Sequence, residues 1–156
     1  MRPRRRTPAV LPAILLAAAA AACGGAGETP GEPELQVTEA WARAAAVAPD
    51  APSNGAVYFT AANHGGQADR LVAARYAGAD RTMIHETFVD ERGVAGMRHL
   101  DAVEVPAGAE VRFEPGGRHL MLMGLAASLA PGDTIEVTLE FERSGELRVR
   151  VPVRPL

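Results

Sequence analysis

The chain has 156 residues, with 19 acids, 16 arginines and no lysine. Twelve of the arginines and all of the acids lie beyond residue 22, so that stretch carries a net charge of −7, which argues against nucleic acid as a partner. The 134 residues involved amount to about one domain, long enough to bury a core without staples.

Residues 1–22 read as an export signal. Arg2, Arg4, Arg5 and Arg6 form a basic start, followed by an apolar stretch from Ala9 to Ala22 that Pro12 interrupts. It falls short of the roughly 20 apolar residues of a transmembrane helix and has the wrong flanks for one. Cys23, the single cysteine, follows Ala20-Ala21-Ala22 and precedes Gly24-Gly25. This resembles the lipobox of bacterial lipoproteins, although leucine is more usual where Ala20 stands. The resemblance implies that Cys23 is lipidated and anchors the chain to a membrane. The alternative is a plain signal cut nearby, which would leave a lone thiol, a liability in an oxidising compartment. Either way no cysteine remains for the folded part, which excludes disulfides, cysteine-based zinc sites and cysteine nucleophiles there. Residues 23–33, rich in Gly and Pro, read as a linker that cannot form a core.

One domain is expected over 34–156, built of short strands between turn residues. The alternation of apolar and polar residues predicts strands over 35–42, 56–61, 71–76, 83–89, 94–100, 103–105, 110–113, 119–123, 134–142 and 146–153. An Ala/Pro-rich loop spans 44–53, and Leu125 to Leu129 could make one helical turn at most. Such spacing, with frequent Gly and Pro, indicates an all-β antiparallel sandwich or barrel.

Enzyme chemistry is poorly supplied. Beyond the signal the serines are Ser53, Ser128 and Ser144, none of them in a Gly-x-Ser-x-Gly setting, and no Gly-rich phosphate loop precedes a helix. The histidines and methionines are more informative. Apart from His64, which belongs to a turn with Gly65-Gly66, all those beyond the signal lie between residues 83 and 123. Taken singly, each is an ordinary core or surface residue. Taken by position, they converge. With the 90–93 turn centred on Glu91, His85 faces Met97 across a hairpin, and Met83 faces His99. On the 119–123 strand, alternation puts His119, Met121 and Met123 on one face. Two strands thus each present histidine with methionine. Imidazole and thioether together suit Cu(I), whereas zinc would want thiolate or carboxylate and calcium clustered oxygens. A blue-copper site fails for want of a cysteine.

The spacing resembles the bacterial periplasmic copper chaperones of the PCu(A)C type. Their signature is a histidine, often followed by Met, then ten residues, Met, twenty-one residues and His-x-Met. Here His85-Glu86, ten residues, Met97, twenty-one residues and His119-Leu120-Met121 keep every interval. Trp41-Ala42-Arg43, Asp69-Arg70-Leu71, Pro115-Gly116-Gly117 and the run from His119 to Gly124 are also similar to the family, over about residues 35–153. The resemblance implies a cupredoxin-like Greek-key β-sandwich that binds Cu(I) through His85, Met97, His119 and Met121. It also implies delivery towards the copper centres of cytochrome c oxidase, alongside a thiol-bearing assembly partner. Glu86 departs from the usual Met; by alternation its side chain is expected to point away from that of His85. Met83 and His99 are either alternative ligands or, the reading preferred here, a core residue and a solvated one. Met123 is expected to pack beneath the site. A copper-sequestering resistance protein and a metal-free scaffold or adhesion sandwich are the rival readings.

Overall fold

The computed structural model describes residues 31–48 and 53–155. The export signal, Cys23 and the linker up to residue 30 lie outside the described residues, as do 49–52 of the Ala/Pro-rich loop. Ten strands follow one another: β1 (Leu35–Arg43), β2 (Asn54–Asn63), β3 (Asp69–Arg75), β4 (Ala79–Val89), β5 (Ala95–His99), β6 (Val103–Val105), β7 (Glu110–Phe113), β8 (Arg118–Leu125), β9 (Thr134–Phe141) and β10 (Gly145–Arg154). Each expected strand is present within a few residues at its ends. Among the described residues there is no helix; Leu125 ends β8, the chain bends at 126–127, and Leu129 bridges to Ala45.

The strands run in the order β5-β4-β8-β2-β1-β10-β9-β3-β6, with β7 also pairing with β2. The fold is a mostly antiparallel, cupredoxin-like β-sandwich. One pair departs from the antiparallel expectation. The terminal strands β1 and β10 run parallel, Ala42 opposite Val153, and join the two halves. Parallel neighbours cannot be linked by a tight turn, and here almost the whole domain separates them.

The core follows from the period-two pattern. Ile135, Val137, Leu139 and Phe141 of β9 are buried in alternation with more exposed neighbours. They meet Leu71, Val57, Phe59, Ile84, Leu120 and Leu122 from the other strands. Phe59 and Phe113 stack with ring centroids 4.2 Å apart, a geometry that adds to the area they bury. Every residue of this core comes from between Leu35 and Val153.

At the edge of the core stands Asp69, buried at 2% exposure. Its carboxylate accepts from the N–H groups of Arg70, Arg143 and Ser144 and from the Ser144 hydroxyl. It thereby pins the β9–β10 turn to the start of β3. Burial alone would raise its pKa. The Ser144 hydroxyl and the N–H groups of Arg143, Arg70 and Ser144 outweigh that, and hold it below the ordinary carboxylate value.

Candidate metal centre

The candidate residues lie on the face of β5, β4 and β8 turned away from the core. On β8, Leu120 and Leu122 point inward and are fully buried, which turns His119, Met121 and Met123 outward. On β4, Ile84 points inward, which turns Met83, His85 and Thr87 outward. The register between these neighbours sets the rows: Met83 opposite Met121, His85 opposite His119. The His85 and His119 rings stand edge to face with centroids 6.1 Å apart.

The β4–β5 hairpin corrects the expected register. His85 faces His99, Thr87 faces Met97 and Val89 faces Ala95, a shift of two residues from the predicted pairing. The turn explains it. Asp90 pairs with Val94 across a three-residue loop in which the Gly93 N–H donates to the Asp90 carbonyl, 2.9 Å, and Gly93 adopts φ 79°. The Asp90 carboxylate accepts from the N–H groups of Arg92 and Val94. A left-handed residue is needed to close such a loop, and Gly93 alone in this turn takes it without steric cost, so the hairpin centres on Arg92 rather than Glu91. A shift of two preserves the face, so Met97 and His99 still lie on the side of His85. Met83 and His99 do not face each other; each instead faces a member of the signature.

The edge strand β5 leaves Met97 61% exposed. Its row continues through Thr87 on β4 to Gly117, just before β8, where the Thr87 N–H donates to the Gly117 carbonyl at 3.1 Å. Both are small, which leaves room for the thioether to lean inward. Met97, His119 and Met121 accordingly line one open concavity of about 500 Å³, walled by the Arg43–Ala46 segment, Tyr58 and Gly116. His119 is buried at 7% exposure and sits between His85 and Tyr58, whose ring centroid is 6.4 Å away.

The two imidazoles differ in their partners. His119 Nδ1 lies 3.1 Å from the Gly117 carbonyl. As a donor there it leaves Nε2 free for a metal, the usual way a protein fixes a ligand's tautomer. His85 Nδ1 is buried with no partner. Burial, then the neighbouring imidazoles of His119 and His99, lower the His85 pKa, so the ring stays neutral and keeps a lone pair to donate. Among the described residues no three His, Cys, Asp or Glu side chains come together to hold a metal ion. A multidentate site on this face therefore has to draw on methionine sulfur.

Glu86 points to the other face, as expected. It bonds Arg98 Nε at 2.9 Å and faces Arg118 Nε at 3.4 Å. His64 is exposed and bonded to Gln36 Oε1 at 3.0 Å, away from this face. Met123 lies one row beyond Met121, opposite Asn54 and Arg81, half-buried. Sequence reasoning missed Tyr58 and Trp41, which continue the histidine row with ring centroids 4.6 Å apart. A β-bulge between Thr38 and Trp41, with Glu39 at φ 54°, aims the indole there. A single sequence gives no sign of such a bulge.

A family model described as "Putative lipoprotein LpqE-like" matches residues 35–153. "Putative lipoprotein Lxx21020" of Leifsonia xyli subsp. xyli is 35% identical over 130 residues, 81% of this chain and 75% of that protein. The solution structure of CuI-DR1885 from Deinococcus radiodurans is 33% identical, with a TM-score of 0.55, over 76% of this chain and 78% of that one. The copper-bound PCuAC domain from PmoF2, at 21% identity and a TM-score of 0.63, covers 82% of this chain and 99% of its own, and shows the shared fold. The chain belongs to the LpqE-like family, and its sandwich is that of the PCu(A)C-type domain.

Proposed function

We propose that this protein is an exported Cu(I) carrier that takes the ion at His85, Met97, His119 and Met121 and surrenders it by ligand exchange. The observation that carries this reading is His119 lining one concavity with Met97 and Met121 while His85 stands opposite it on the neighbouring strand. Neutral imidazole and thioether donors suit soft Cu(I) and do not require the loss of a proton. The Gly117 carbonyl aims His119, and a bound ion would satisfy the orphaned nitrogen of His85. A concavity open to solvent lets an acceptor's thiolates displace the methionines one at a time. Structural relatives are named for copper, and the matching family model and the Leifsonia xyli relative are named as putative lipoproteins. The lipoprotein names support an anchor at Cys23 on the outer face of the membrane, after removal of residues 1–22, with 23–33 as the tether and 34–156 as the carrier domain. The acceptor in this reading is a thiol-bearing assembly protein or the copper-centre subunit of cytochrome c oxidase.

The test is a competitive anaerobic titration of residues 24–156, which keep the whole core, with Cu(I) against a chromogenic chelator. One equivalent should bind. His119→Ala and Met121→Ala should weaken binding by more than about a hundredfold, beyond what losing a mere supporting partner costs. Unchanged affinity in both variants would sink the assignment.

A further inference from the structure

His85 is the middle of a row of three imidazoles. His119 lies 6.1 Å away on one side, centroid to centroid, and His99 5.9 Å away on the other. A metal held by two imidazoles at about 2.0 Å from each nitrogen sets their ring centroids about 5–6.5 Å apart, so either pair has the spacing of a shared ion. The three do not close on one point, since His99 and His119 occupy strands on opposite sides of β4. The row therefore describes two overlapping two-histidine positions, with His85 common to both. Each has its own thioether: Met121 stands two residues from His119 on β8, and Met97 two residues from His99 on β5, on the same faces.

The two positions differ in access. His119 is 7% exposed, within the sheet. The His99 side chain is 47% exposed and Met97 61%, and their strand is the free edge of the sheet. His99 also has Asp101 3.5 Å from its Nε2, on the solvent side.

We propose that His99 is a further copper ligand, forming with His85 and Met97 an outer station at the sheet edge from which the ion is handed to its acceptor. This rests on the Cu(I)-carrier reading. In the resting complex the ion is held by His85, His119, Met121 and an inward-leaning Met97. Release begins when Met97 swings outward and His99 replaces His119 and Met121, while His85 keeps hold throughout. No oxidation state changes; two neutral donors, His119 and Met121, leave the ion and one, His99, joins it, so that it passes from four donors to three. Because the stations share His85, the protein binds one ion and not two.

The test is the rate at which the Cu(I)-loaded chain, residues 24–156, transfers copper to a short synthetic peptide carrying two cysteines. His99→Gln should keep the Cu(I) affinity within about threefold of wild type, since the inner station is intact. Its transfer rate should fall by about tenfold. His99→Met, which restores a soft donor, should recover the rate to within about threefold. Transfer at the wild-type rate by His99→Gln would overturn the proposal, as would a His99→Met protein as slow as His99→Gln. Both variants alter an exposed edge position, and matching thermal melts confirm that they fold. Failure of the wild-type chain to bind Cu(I) would instead remove the carrier reading itself.

Discussion

Asp69 on β3 and the ring nitrogen of His85 on β4 are both buried, and they differ in what surrounds them. Asp69 has four donors on its two oxygens. His85 has a buried ring nitrogen with none. A buried polar group that the chain fully satisfies belongs to the fold, because its loss leaves other groups stranded. One that the chain leaves wanting costs stability, and is explained when an outside partner completes it. Thr82 Oγ1 on β4 is also buried without a partner, so what marks His85 is that its orphaned atom is a metal donor beside a second imidazole.

The largest way to break the comparison is at Asp69. Asp69→Asn keeps the volume but faces an amide N–H towards donors, and should cost about 2–3 kcal/mol in chemical denaturation with Cu(I) affinity unchanged. The same carboxylate has a pH signature. Its folded pKa is lowered below 3.8. Its stabilisation is therefore fully present above the unfolded value and is lost as pH falls through that value towards the folded one. Wild type should accordingly lose stability below about pH 4 more steeply than Asp69→Asn, in melts taken across the acid range. Parallel acid transitions would mean that the clamp is not what it appears from its bonds.

His85→Phe should have the opposite balance. Removing an unsatisfied nitrogen should leave the metal-free domain as stable as wild type, or more stable by up to about 1 kcal/mol, while Cu(I) binding is lost. A marked loss of metal-free stability would place His85 with the architecture. Glu86→Met, which supplies the residue usual in the family, has the smallest expected effect. It removes ion pairs with the exposed Arg98 and Arg118 on the far face, so stability should change by less than about 1 kcal/mol and Cu(I) affinity by less than about threefold.

The strands were legible because alternation and turn residues are local signals. Ile135, Val137, Leu139 and Phe141 of β9 announce a buried face by their spacing alone. The face shared by His119 and Met121 was legible for the same reason. Register was less so. Moving a hairpin by two residues changes no side chain's face, so hydrophobic pattern cannot detect it; only the left-handed position of Gly93 decides. That shift puts His99 opposite His85, whose other neighbour His119, like Met121 beside Met83, is set by the separate β4–β8 pairing. Asp69 showed itself only as part of a family-like Asp-Arg-Leu segment. Its role depends on Arg143 and Ser144, more than seventy residues away, and distance in sequence hides such a clamp.

The direction of β1 sets the distance between the start of the domain and the site. The strand starts at Leu35, beside the chain leading back to Cys23, and ends at Arg43, which lines the concavity with Ala44–Ala46. Nine extended residues span about 26–30 Å. If the proposed anchor at Cys23 holds, the strand would act as a spacer: the chain enters the domain at Leu35, and the wall of the concavity at Arg43 lies a strand's length from that entry.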